Sequence, residues 1–170
     1  MKEVFIVAAK RTPIGGFLGS LSGYSATQLG AIAIKEAYTS AGVAPGNIDS
    51  VFMGNVLSAN LGQSPARQAS RYAGIPDEVD CSTINKVCAS GMKAAIIGAQ
   101  QIQLGLEDIV MSGGMESMSN APHYGLLRKT VKLGDTPFAD AILRDGLTDA
   151  YTGLHMGNAA ELCVRKYGLC

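Results

Sequence analysis

Residues Asn85–Leu104, NKVCASGMKAAIIGAQQIQL, decide how this chain is read. A short run rich in β-branched residues, Cys81–Ile84, stops just ahead of Cys88, and a nearly uncharged helical run follows it to Gly105. In that run Met92, Ala95, Ile96, Ala99 and Ile102 share one helical face, Ala94, Ile97, Gly98 and Leu104 leave little polar face opposite, and Lys93 is the only charge. A helix apolar nearly all round is expected in an interior, and its glycines and alanines allow close approach to other backbones. A cysteine at the head of such a helix is a candidate nucleophile, because the first turn carries unpaired N–H groups and a partial positive charge that favour a thiolate. On position alone, a structural thiol acting as a small apolar filler is the more common reading.

Working outward, Val4–Ala8 (VFIVA) has the continuous apolar pattern of a strand buried on both faces. Arg11, Thr12, Pro13 and the following glycines end it. Ser25 and Gln28 have capping-box spacing; Leu29, Ile32, Ala33 and Ala37 then recur at helical period until Gly42. Val51–Met53, with Ile48 before it, reads as a second strand closed by Gly54 and Asn55. In SPARQASRYAG, Ser64 is placed to cap, Pro65 suits the first helical position, and Gly74 ends the helix. Cys81–Ile84 gives a third strand and Ile109–Met111 a fourth. This alternation predicts an α/β fold, a parallel sheet with helices on both faces. Cys88 then lies beside the carboxyl ends of the strands, where open α/β sheets bind ligands. The glycine-rich SGGMESMSNAPH falls at the same edge. From Ala121 to about His155 the period is lost, which suggests an inserted subdomain or a long functional loop. Helical character resumes at Asn158, with Glu161 at capping-box spacing, and reaches Tyr167 and Gly168.

The net charge is zero, 16% of the 170 residues are charged, and tryptophan is absent, so the footprint of a nucleic-acid or polybasic membrane binder is missing. No apolar stretch reaches the ~20 residues of a membrane span, and MKEVFIVAA lacks the flanks of a secretory signal. Cys81, Cys88, Cys163 and Cys170 show no metal-ligand spacing and read as free thiols of a reducing compartment. Cytoplasm is the default expectation, with a mitochondrial site left open by a transit peptide that would leave no trace. The sparse charge suggests that part of the surface is covered by a partner subunit or further chain.

Five stretches together resemble the thiolase family: RTPIG at 11–15, GQSPARQA at 62–69, INKVCASGMKA at 84–94, GGMESMSNAP at 113–122 and GLTDAYTGLHMG at 146–157. The resemblance is to the short-chain, acetoacetyl-CoA type and runs along essentially the whole chain. It implies a thiolase N-terminal α/β domain at 1–118, its mostly parallel mixed sheet between helix layers, and the beginning of a CoA-binding loop domain at 119–170. It also implies that Cys88 accepts an acyl group as a covalent thioester, with its backbone N–H in an oxyanion hole. Leu147, His155 and Met156 match positions that line the pantetheine and acyl pocket. The expected reaction is 2 acetyl-CoA to acetoacetyl-CoA and CoA, with coenzyme A as part of the substrate and no separate cofactor or metal. Nucleic acid and membrane are not expected partners, and a homodimer or homotetramer is expected of the full-length form.

The family's catalytic histidine and second cysteine belong to motifs of a C-terminal half, and neither His123, His155, Cys163 nor Cys170 has their setting. This chain alone is therefore expected to be inactive. Alternatives are a broader-chain 3-ketoacyl-CoA thiolase of β-oxidation, or an incomplete domain serving only binding and assembly. His123 reads as a loop residue, Glu116 carries no assigned role, and Arg67 reads as a surface or interface ion pair rather than a phosphate anchor.

Overall fold

The computed structural model describes residues 2–128 and 133–169. The chain forms two compact units, residues 1–120 and 121–170. In the first unit, α1 (Ala26–Ser40), β1 (Ser50–Gly54), α2 (Pro65–Tyr72), β2 (Asp80–Ile84), α3 (Ser90–Gln103) and β3 (Val110–Gly114) follow in order. The three strands form a parallel sheet in the order β2-β1-β3. Ser50 stands level with Asp80 and Val110, and Gly54 level with Ile84 and Gly114. All five residues of the central strand β1 are buried.

Alternation along β1 assigns the two faces. Val51 and Met53 belong to one apolar cluster with Ala26, Ala31 and Ile34 of α1 and with Ala66 and Ala69 of α2. The opposite face meets α3, where Gly98 lies against Ser112 and Val110, and Gly54 lies against Ser90 and Gly91. The residues that α3 buries are Ser90, Ala94 and Gly98, a stripe of small side chains at four-residue spacing. Small residues bring the helix axis close to the sheet, and at the carboxyl end the approach is backbone to backbone.

Local chemistry explains where the helices start. Ser25 Oγ accepts from the Gln28 N–H, and the Gln28 side chain accepts from the Ser25 N–H, the capping box expected from the sequence. At α2 the boundary is as expected but the cap differs. Ser64 has φ +46° and makes no side-chain cap, while Pro65 occupies the first turn. The Ala66 N–H is instead accepted by Thr83 Oγ1 from β2, at 3.0 Å. The left-handed backbone at Ser64 turns its hydroxyl out of capping geometry, and the neighbouring strand supplies the oxygen.

Two further expectations, of pairing and of burial, also fail. Val4–Ala8 is not a strand, since no described residue pairs with it in a ladder, and Phe5, Ile6 and Val7 are exposed, Ile6 at 89%. An apolar pattern supplies the propensity for a strand, but without a neighbour the backbone groups have no partner. The arm is held near its start by Lys2, whose N–H donates to Gln103 O at 3.2 Å and whose ammonium lies 2.6 Å from Asp108. The expected burial of the whole of α3 also fails: Met92 is 70% exposed and Ile96 is exposed too. Only the face toward the sheet is covered within these residues.

In the second unit, β4 (His123–Tyr124) pairs antiparallel with β5 (Ala139–Asp140), a π-helical turn runs Ile142–Leu147, and α4 spans Met156–Tyr167. The segment that lost its period in sequence is thus partly ordered by a short antiparallel strand pair. His123 lies in β4 rather than in a loop, its imidazole 3.9 Å from the Asp140 carboxylate.

The approach of Gly54 to α3 is testable. A Cβ on Gly54 would stand 2.5 Å from Gly91 N and Ser90 C, backbone atoms that move only if the helix lifts, whereas one on Gly46 meets nothing within 4 Å. Gly54→Ala should cost about 3 kcal/mol or more, and Gly46→Ala should change stability by no more than about 1 kcal/mol. Urea unfolding of the full-length protein measures both, and equal stabilities would refute the contact.

Candidate active site

Between the end of β2 at Ile84 and the start of α3 at Ser90, the chain reverses through Asn85–Ala89. Val87 sits at φ +48°, in the left-handed region. A β-branched residue there is a genuine strain, and such strain persists only where its surroundings hold it. Cys88 follows directly, exposed, with a free thiol. Ala89 is the N-cap and makes no side-chain cap bond. Cys88 therefore stands just ahead of the helix rather than within its first turn, presented on a sharp strand-to-helix turn at the carboxyl edge of the sheet.

The platform under this turn is built from glycines. Ser90 and Gly91 lie on Gly54, Gly91 also lies against Gly114, and the Met115 N–H donates to Gly54 O at 2.9 Å. Beside it, Glu116 gathers the segment after β1: its carboxylate accepts from the Val56 N–H at 2.9 Å, the Leu57 N–H at 3.2 Å and Asn55 Nδ2 at 2.8 Å. Burial pushes the Glu116 carboxyl above its ordinary value, against the lowering effect of the hydrogen bonds from Val56, Leu57 and Asn55. Sequence reasoning gives this residue no role. The signal available is a carboxylate directly after a glycine-rich strand end, which does not by itself say that three donors converge on it.

The following loop is tied to the approach to α1. Asn120 Nδ2 donates to Ser22 O and Tyr24 O, and Ser119 Oγ accepts from the Leu18 N–H. A cleft of about 400 Å3 lies between Lys10–Phe17, α1 and Gly114–Ser119, and Cys88 is not among its walls.

Leu147, His155 and Met156 belong to the second unit, and one local turn brings them together. Leu147 ends the π-helical turn, Thr148 forms an isolated bridge with His155, and the Asp149 N–H donates to Leu154 O at 2.8 Å. His155 is the N-cap of α4, its Nδ1 accepting from the Gly157 N–H at 2.9 Å, and Met156 is the first helical residue. The helix thus begins two residues before Asn158, because the imidazole supplies the acceptor expected from that asparagine. With Nδ1 accepting, a neutral His155 carries its proton on Nε2. Leu147 is half-buried, whereas His155 and Met156 are exposed.

The other singled-out residues have ordinary surroundings. Arg67 donates to the backbone O of Asp77 at 2.7 Å rather than entering the expected ion pair among the described residues, and Cys81 and Cys163 are free thiols. Cys170 lies outside the described residues. Among the described residues no three His, Cys, Asp or Glu side chains converge as a metal site, and no helix is long and apolar enough to cross a membrane.

Glu116 makes a pH prediction. Its carboxyl is raised above 4.5, so just above that pH the folded protein retains a proton that the unfolded chain has lost, and stability from this group falls as pH rises through its folded value. The stability of wild type relative to Glu116→Gln, measured by urea unfolding, should therefore decline as pH climbs from about 4.5 toward neutrality. A difference that grows with pH would contradict the assignment.

Comparison with known proteins places these features in a family. Residues 4–170 match the profile of the thiolase N-terminal domain. A cytosolic acetyl-CoA acetyltransferase of Gibberella zeae is 56% identical over 170 residues, covering 99% of this chain and 43% of that protein. The human mitochondrial acetyl-CoA acetyltransferase is 49% identical over 169 residues, covering 99% of this chain and 39% of that protein. The fold matches the Acat5 thiolase of Ascaris suum, crystallised in complex with coenzyme A, with a TM-score of 0.94 and 46% identity, over 98% of this chain and 44% of that one. The chain thus spans about two fifths of the length of the curated relatives it matches. Over nearly its whole length it aligns with one domain of these enzymes, and it belongs to the thiolase family.

Proposed function

We propose that this chain is the N-terminal part of an acetyl-CoA C-acetyltransferase in which Cys88 is the acyl-accepting nucleophile. The observation that carries the reading is the setting of Cys88: an exposed thiol on a strained strand-to-helix turn at the carboxyl edge of a parallel sheet, within the motif INKVCASGMKA. The relatives' shared name, acetyl-CoA acetyltransferase, supports the reaction type.

In this reading the Cys88 thiolate attacks the thioester carbonyl of acetyl-CoA, the carbonyl oxygen takes the negative charge, and the CoA thiolate leaves as the carbonyl re-forms. The product is an acetyl-cysteine. The Cys88 backbone N–H is a donor to the oxyanion. A second acetyl-CoA then loses a methyl proton to a base, its carbanion attacks the acetyl-cysteine, and the Cys88 thiolate is expelled as acetoacetyl-CoA forms. Dividing the condensation in two exchanges one difficult step for two easier ones. Leu147, His155 and Met156 are the proposed walls of the acyl and pantetheine pocket, with the Met156 side chain restricting it to short acyl groups. Coenzyme A enters as part of each substrate, so the reading calls for no dissociable cofactor.

Two proton movements remain: removal of the Cys88 proton and removal of the methyl proton. We assign both to residues beyond this chain, because His155 Nδ1 is engaged in the α4 cap and neither His123 nor His155 lies in the motif setting of the family's catalytic histidine. The exposed faces of Val4–Val7 and α3 are, in the same reading, surfaces covered in a longer protein that assembles as a homo-oligomer. The relatives include cytosolic and mitochondrial forms, and free thiols suit either compartment.

The test is acetylation. Full-length protein incubated with acetyl-CoA and mapped by peptide mass spectrometry should carry its acetyl group on Cys88, and Cys88→Ala should reduce turnover by about a thousand-fold or more. An adduct on another residue, or none, would show that the nucleophile is misassigned.

A further inference from the structure

The turn that presents Cys88 contains a device for holding strain. The orientation of Val87 is set by the two peptide planes that flank it, one carrying its N–H and the other its C=O. Both are gripped by side chains. Asn85 Oδ1 accepts from the Val87 N–H at 3.0 Å. On the other side, Ser90 Oγ donates to Val87 O and accepts from the Lys86 N–H at 2.9 Å. Ser90 is buried against Gly54 and fixed by the packing of α3, so its grip follows from the core. Asn85 is exposed and contributes little to packing. Its amide closes a side-chain turn onto the backbone two residues on, the geometry for which asparagine is suited. Nδ2 of the same amide reaches toward Val56 O at 3.5 Å, on the segment whose N–H groups Glu116 holds.

We propose that Asn85 is a positioning residue for the acyl-transfer step: by holding the Val87 N–H it keeps Val87 in the left-handed conformation and so aims Cys88. The inference rests on the nucleophile reading of Cys88 and adds to it a residue that acts on the nucleophile only through Val87. Loss of the bond would let Val87 relax toward negative φ, which any β-branched residue prefers, and the relaxation would rotate the peptide that leads directly into Cys88. Ser90 holds the plane after Val87 through its Oγ and its N–H, whereas the plane before it has, besides Asn85, a single hold from the Ala89 N–H on Lys86 O at 3.1 Å.

Single-turnover acetylation of Cys88 by acetyl-CoA in the full-length protein tests this, with kcat and KM measured alongside. Asn85→Ala should slow acetylation by about 10- to 100-fold, the scale of a small misplacement of a reacting group, and the loss should fall on kcat rather than KM. Asn85→Ser, whose hydroxyl closes the same turn more weakly without adding a charge, should recover part of the rate. Glycine adopts positive φ without penalty, so in a Val87→Gly background the Asn85→Ala loss should shrink several-fold. If Asn85→Ala does not fold, Asn85→Gln, with its acceptor one bond further out, takes its place. Acetylation at the wild-type rate in Asn85→Ala, equal losses for the alanine and serine variants, or an undiminished loss in the Val87→Gly background would each overturn the role of Asn85 while leaving the nucleophile in place. Absence of acetylation at Cys88 in wild type would instead remove the nucleophile reading, and this inference with it.

Discussion

The first unit depends on one close approach: the opening turn of α3 resting on the backbones of β1 and β3 at Gly54 and Gly114. Glycine is needed because a Cβ at Gly54 would overlap the helix backbone itself, not a side chain able to swing aside. The contact sets the height of Ser90, and Ser90 in turn grips the two residues ahead of Cys88. Packing at the sheet edge and the geometry of the candidate nucleophile are thus one problem. The same edge carries Asn55 and Glu116, which bind the ends of β1 and β3 into a common frame.

Local signals are legible in the sequence, and signals needing a distant partner are not. The capping box of α1 is written in Ser25 and Gln28 alone. The cap of α2 involves Thr83, seventeen residues away on β2, so Ser64 has the look of a cap without being one. Val4–Ala8 has every local mark of a strand, yet strand structure requires hydrogen bonds to a neighbour, and none of the described residues supplies one. Apolarity all round α3 suggests full burial, but the covered face is the small one, Ser90, Ala94 and Gly98, and the large side chain of Met92 faces outward.

The site divides in the same way. Cys88 is legible from its position between strand and helix and from its motif. The surroundings of Cys88 are not: a valine is a poor candidate for positive φ, and nothing in Asn85 or Glu116 read alone announces which backbone donors they hold. Leu147, His155 and Met156 are found by resemblance, and the structure adds what resemblance could not, that His155 caps α4 while Thr148 and His155 bridge. Histidine is an uncommon cap, which is why Asn158 looks like the helix start. Thiolase membership unites these residues in one account, within a chain that spans two fifths of its relatives.

Strain at Val87, the glycine platform and the acyl-accepting role proposed for Cys88 meet in a single atom, the Cys88 Sγ, and diffraction can observe it. Crystals of the full-length protein exposed to acetyl-CoA and frozen before turnover completes should show an acetyl group on Cys88 Sγ. Val87 should retain a φ near +48°, and Ser90 and Gly91 should remain seated on Gly54. An acetyl group on any other residue, or an acetylated Cys88 preceded by a Val87 relaxed to negative φ, would contradict the account.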